Sequence, residues 1–231
     1  MKTIGIIGGM SWESTVPYYR RINELVKARL GGLHSARLVL VSVDFAEVET
    51  LQSAGDWDEG GRVMADAARS LEAAGADCVL IATNTMHRVA PAVEAAVTIP
   101  LLHIADATGQ AIAAAGLGTV GLLGTRFTME QDFYRSRLAE RHGISAVVPD
   151  AEERRYVDRV IYTELCCGVI SEESRARFRT IIAGLVRRGA EGIVLGCTEI
   201  PLLVTAEDVT VPLFDTGELH ARAAVEFSLG G

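Results

Sequence analysis

Along this chain, short uninterrupted apolar runs alternate with longer stretches in which apolar residues recur at helical spacing, and glycine, proline and small polar clusters separate the two. The uninterrupted runs predict strands near 3–8, 37–44, 77–83, 99–103, 119–124, 145–148, 192–196 and 211–214. The periodic stretches predict helices over 12–30, 58–74, 86–95, 105–115, 127–142, 151–167, 172–188 and 216–228. Ser11, Asp56 and Ser171 stand where N-caps belong, and Gly31, Gly75 and Gly189 where helices stop. Apolar strands separated by helices imply an α/β fold, with parallel sheets covered on both faces.

The pattern also repeats. Gly75 to Thr85 and Gly189 to Glu199 are two versions of one segment, with Thr83 and Cys197 at the same place 114 positions apart. Thr3 to Gly8 recurs as Thr119 to Gly124, and Thr98 to Leu102 as Thr210 to Phe214. A duplication explains three strand-like runs recurring in order, and predicts two pseudo-symmetric α/β lobes. The first is expected over 1–99, with 212–231 returning to it, and the second over 100–211. If a pseudo-twofold axis relates them, the hydroxyl of Thr83 and the thiol of Cys197 face each other across a shared cleft. Such an active site could take a proton from one side of a carbon and return it on the other.

Composition narrows the function. A chain of 231 residues, 49% hydrophobic, can bury a substantial core. A formal net charge of −8 without a basic block argues against nucleic acid and against anionic membrane as partners. The start of the chain lacks the pattern of a secretory signal, and no run is long enough for a membrane span, so a cytoplasmic location is expected. Four cysteines do not make a disulfide framework here, and no Cys/His spacing suggests a metal site. Cys166 and Cys167 lie in a helical pattern and Cys78 at the start of a strand. Cys197 alone stands at a strand's C-terminal tip with a helix expected just after it, a setting that favours a thiolate.

Three segments carry a family resemblance. Ile6-Ile7-Gly8-Gly9-Met10-Ser11-Trp12-Glu13-Ser14-Thr15, Thr83-Asn84-Thr85-Met86-His87 and Gly196-Cys197-Thr198-Glu199-Ile200 resemble the aspartate/glutamate racemase family, in the right order across nearly the whole chain. The resemblance implies two α/β domains, a small-molecule amino acid as substrate, no cofactor, two opposed cysteines and frequent homodimers. The chain departs from it at the first cysteine, which is Thr83. An alcohol donates a proton but is a poor base near neutral pH. By carry-over Cys197 takes the α-proton of an L-amino acid and Thr83 protonates the opposite face, so the L substrate is favoured.

The other tip residues fit binding. Asn84, Thr85 and Thr198 offer short donors for an α-carboxylate, although helix capping would use the same residues. Met10, Gln52 and Thr125 occupy the remaining tips, with a solvent-facing role open for Gln52. Glu199 could bond the ammonium group or orient Cys197, and His87 could polarise Thr83. A pyridoxal enzyme needs a buried lysine, yet the only lysines are Lys2 and Lys27, and Gly5-Ile6-Ile7-Gly8-Gly9 is not a dinucleotide fingerprint. Aspartate and glutamate are the family default. The acidic and apolar residues around 44–49 and 164–167, where the family places basic side chains, leave a wider amino-acid range open. A single-cysteine decarboxylase and a silent amino-acid-binding protein also remain open.

Overall fold

The computed structural model describes residues 1–230. It contains two compact units, one of Met1–Ile104 joined by the chain from His220, the other of Ala105–Leu219.

The first unit is built on a parallel sheet of β1 (Ile4–Gly8), β2 (Leu38–Ser42) and β3 (Cys78–Ile81), in the order β2-β1-β3. Period-two alternation sorts its side chains onto two faces. Ile7, Val79 and Ile81 join Met64, Ala68 and Leu71 of α3 (Trp57–Ala73) in one core cluster. Ile4, Ile6, Cys78 and Leu80 join Ile22 and Val26 of α1 (Trp12–Leu30) and Ala224 and Val225 from the C-terminal helix in the other. Burial on both faces is why these strands read as continuous apolar runs.

Three features of this unit differ from the sequence expectation. The strand expected at 99–103 contracts to one parallel bridge, Val79 to Leu101. Val79 donates to the Pro100 carbonyl and accepts from the Leu102 N–H, and α5 (Ile104–Ala114) begins just beyond. In addition, Phe45–Ala54 forms α2, capped by the Asp44 side chain on the N–H of Ala46. The helix expected at 86–95 is a 3-10 turn, Thr85–Val89, followed by α4 (Ala90–Ala96).

The second unit carries β4 (Thr119–Gly124), β5 (Ser145–Val147), β6 (Gly192–Gly196) and β7 (Leu213–Asp215), all parallel in the order β5-β4-β6-β7. β7 thus pairs with β6 in this sheet, and the chain returns to the first unit one element later, within α10 (Thr216–Leu229). The expected helix at 127–142 breaks at Gln131, whose extended backbone separates α6 (Arg126–Glu130) from α7 (Asp132–His142). Leu123, Ile193 and Leu195 pack with Val157, Val160 and Ile161 of α8 (Ala151–Thr163) and Phe178, Ile181 and Leu185 of α9 (Glu172–Arg187). Asp56 and Ser171 cap α3 and α9 as expected, whereas Ser11 makes no capping bond through its side chain.

A buried polar link ties the ends of the first unit together. Tyr18 Oη donates to His220 Nδ1 at 3.0 Å, and His220 Nε2–H donates to the Leu102 carbonyl at 2.7 Å. Full burial, only partly offset by that carbonyl bond, pushes the His220 pKa from 6.5 down to about 4. The unfolded chain therefore takes up a proton that the folded chain refuses. Its stabilising contribution is complete above pH 6.5 and is lost as pH falls towards 4, by at most on the order of 3 kcal/mol. Urea unfolding of His220→Gln should show a shallower loss of stability across that window than the parent protein. Equal slopes would contradict the assignment.

Candidate active site

The C-terminal ends of parallel strands leave backbone groups without ladder partners and open onto helix N-termini, so ligands gather there. In the first unit, pairing of β1 with β3 brings the loop after Gly8 and the loop after Ile81 to the same edge. Gly9 has φ +91, and a Cβ there would lie 2.2 Å from the Val43 carbonyl oxygen, so only glycine fits this close approach. The Gly9 N–H donates to Thr15 Oγ1 at 2.8 Å, and Thr15 donates to the Ser11 carbonyl at 2.9 Å. Thr15 on α1 thereby fixes the loop that carries Met10, a role that the sequence alone did not reveal.

Met10, Asn84 and Thr85 are buried at this edge, and Thr83 is half-buried beside them. Among the described residues no group bonds the Thr83 hydroxyl, while its carbonyl accepts from His87 Nδ1 at 2.8 Å. Gln52 is only 4% exposed, which removes the solvent-facing role. It reaches in from α2, and its Nε2 donates to Met86 Sδ at 3.2 Å, next to Thr85. This tip is thus tied to the helix that sequence reasoning missed.

In the second unit Gly124 and Gly196 are opposite each other in the β4–β6 register, which sets Thr125 beside Cys197. A Cβ on Gly124 would stand 2.7 Å from the Gly196 carbonyl oxygen, so the tips approach as closely as backbone allows. Thr125 caps α6 by accepting from the Thr128 N–H at 3.4 Å. Its capping role is therefore real, and its buried position places it at the same edge as Cys197.

Cys197, Thr198 and Glu199 form one hydrogen-bonded group. The Cys197 S–H donates to Glu199 Oε2 at 2.9 Å, and the Thr198 hydroxyl donates to the same oxygen at 3.0 Å. Glu199 is 3% exposed and Cys197 8%. Burial raises the thiol pKa well above its ordinary value, and the negative charge of Glu199 and the nearby Cys166 raise it further. The resting sulfur is a thiol, which corrects the expectation of a thiolate. The expected helix after Cys197 is only a three-residue 3-10 turn, Ile200–Leu202, too short to supply a helix dipole. The helix expected over 151–167 ends at Thr163, and Cys166 lies in the 3-10 turn Leu165–Cys167 that follows, packed against the same core cluster as Cys197.

His103 and His220 pack around His87, with ring centroids 4.4 Å and 5.8 Å from it. None of the three polarises the Thr83 hydroxyl through a bond described here. No group of three or more metal-ligating side chains occurs among the described residues, and no described helix is long and apolar enough to cross a membrane.

The family model described as Asp/Glu/Hydantoin racemase matches residues 7–224. The chain belongs to that family, whose members are isomerases. A Yersinia pestis protein assigned to the Asp/Glu racemases, seen in a crystal structure, is 56% identical with a TM-score of 0.93, covering 99% of this chain and 100% of that one. The crystal structure of an aspartate racemase homologue from Pyrococcus horikoshii OT3 is 36% identical with a TM-score of 0.86, again over 99% and 100% of the two chains. The broad specificity amino-acid racemase RacX of Bacillus subtilis (strain 168) is 22% identical over 223 residues, 96% of each chain. Family membership and the two-domain α/β fold thus agree with the resemblance carried by the three segments.

Reactivity of the racemase thiols tests the assignment at Cys197. Iodoacetamide at pH 8, followed by peptide mass spectrometry, should label exposed Cys167 first and Cys197 slowly. Glu199→Gln removes one cause of the raised pKa and should speed labelling of Cys197 severalfold. Unchanged labelling would show that Glu199 does not hold the thiol proton.

Proposed function

We propose that this family member is a cofactor-independent racemase of amino acids in which Cys197 takes the α-proton from the L enantiomer and Thr83 supplies one to the opposite face. The observation that carries this reading is the Cys197–Glu199 hydrogen bond. Proton transfer from Sγ to Oε2 turns a thiol and a carboxylate into a thiolate and a carboxylic acid without changing net charge. A buried site can tolerate that exchange, whereas an isolated thiolate there would be costly. The ammonium group of an incoming amino acid favours the thiolate further.

Asn84, Thr85, Thr125 and Thr198 then provide short donors for the carboxylate on which charge builds as the proton leaves. Met10 and Gln52 complete the side-chain surroundings. Aspartate and glutamate are the first substrates to test, because the aspartate racemase homologue and the Asp/Glu racemases stand among the relatives. The broad specificity of RacX supports a wider panel.

Donation leaves Thr83 an alkoxide that must regain a proton from solvent before the next L turnover, and the reverse reaction would have to start from that same alkoxide. The equilibrium constant of racemisation is one, so kcat/KM must be equal in the two directions. The asymmetry therefore falls on kcat, with a compensating difference in KM. A cytoplasmic homodimer completes the proposal. Trp12, Val16 and Tyr19 form an exposed apolar stripe on α1, bordered by Arg20, Glu24 and Lys27, whose mixed charges suit pairing with a second copy.

Incubating L- and D-amino acids in deuterated buffer without added cofactor tests the reaction. The expected result is α-deuterated product of inverted configuration, faster at saturation from the L side. Thr83→Ala should lower racemisation by about 10²–10⁴-fold, the usual contribution of a general acid. Thr83→Cys should raise kcat from the D side. Carbon dioxide release from a malonate-type acid, with no α-deuteration, would favour a decarboxylase instead. Amino-acid binding in calorimetry without any α-deuteration would favour a silent binding protein.

A further inference from the structure

We propose that His87 is a positioning residue that sets the proton-delivering tip at Thr83 by bonding its backbone, an inference that rests on the acid role proposed above for Thr83. His87 is 2% exposed and lies one helical turn beyond Thr83. Its two ring nitrogens do different work. The N–H of Ile104, at the start of α5, donates to Nε2 at 3.2 Å, so that nitrogen carries no proton. Nδ1 therefore holds the proton of the neutral ring and donates it to the Thr83 carbonyl at 2.8 Å.

This arrangement satisfies two groups that secondary structure leaves open. The Thr83 carbonyl lies past the last rung of β3, and the Ile104 N–H belongs to the first turn of a helix, where no intrahelical acceptor exists. The same connection continues outward. Two residues before Ile104, the Leu102 carbonyl accepts from His220, which in turn accepts from Tyr18 on α1. Thr83 is thus anchored through His87 to the segment 102–104, and that segment is anchored to α1 and α10. His87 leaves the Thr83 hydroxyl itself unbonded, available to a substrate. Proton delivery depends on placement to within fractions of an ångström, so loss of the anchor should weaken this half of the reaction selectively.

Two assays separate the halves. Racemisation of L-glutamate needs abstraction on one face and delivery on the other. With 3-chloro-L-glutamate, abstraction alone suffices. The Cα–H bond breaks, its electron pair forms Cα=Cβ, and the C–Cl bond breaks to release chloride. The enamine then tautomerises and is hydrolysed by water to an α-keto acid and ammonium. The ratio of the two rates is independent of how much of a variant is folded.

Thr83→Ala, which removes the donor, should lower racemisation while leaving elimination within about threefold of the parent. His87→Ala should move the ratio the same way, by tenfold or more. His87→Asn keeps a donor near the position of Nδ1 and should restore the ratio to within about threefold. His87→Gln reaches the position of Nε2 instead and should not restore it. If His87 served only to cap α5, the order of Asn and Gln would reverse or both assays would fall together, and the inference would be overturned. If Thr83→Ala itself failed to separate the assays, the acid role of Thr83 would fall, and this inference with it.

Discussion

A thiol that donates to a buried carboxylate is the interaction on which the proposed chemistry depends. Alone, Cys197 at 8% exposure would be an inert small apolar side chain, and Glu199 alone would be an uncompensated buried acid. Together they share one proton over 2.9 Å, with the Thr198 hydroxyl steadying the same oxygen. The raised thiol pKa is thus part of the arrangement. It keeps the sulfur a neutral thiol at rest, from which, in the proposed mechanism, the ammonium group of a substrate would draw out the thiolate.

The scaffold brings such groups to an edge by the simplest means that parallel sheets offer. Gly124 and Gly196 let β4 and β6 approach until no side chain fits between their ends, and Gly9 does the same for the loop after β1. The side chains that follow these glycines, Met10, Thr125 and Cys197, project from backbone that is held by neighbours. In the first unit Thr15, His87 and Gln52 provide the hold, each from a different element. Thr15 holds the backbone of Gly9, His87 that of Thr83, and Gln52 the side chain of Met86.

Much of this was legible in the sequence, for a physical reason. Strands buried on both faces must be apolar throughout, and β1, β3, β4 and β6 stood out on that basis. The duplicated segments located Thr83 and Cys197 at equivalent tips. The parts that were not legible depend on long-range partners. The segment 99–103 has the composition of a strand but forms a single bridge, whereas its repeat, with Pro212 at the place of Pro100, continues into β7, a difference set by neighbours and not by local sequence. Phe45–Ala54 has weak helical periodicity, and its helix follows from the Asp44 cap and from Gln52 finding Met86. The protonation state at Cys197 could not be read from position on a strand tip, because burial and Glu199 outweigh any dipole from the short turn that follows.

Difference infrared spectroscopy of the S–H stretch tests the thiol–carboxylate pair most directly. Subtracting the spectrum of Cys197→Ser isolates the band of this one sulfur. At neutral pH without ligand, the expected result is an S–H band displaced to low frequency by a charged acceptor and moving back towards that of a weakly bonded thiol in Glu199→Gln. Absence of any Cys197 S–H band in the free protein, or a band indifferent to Glu199→Gln, would contradict the pairing from which the proposed chemistry starts.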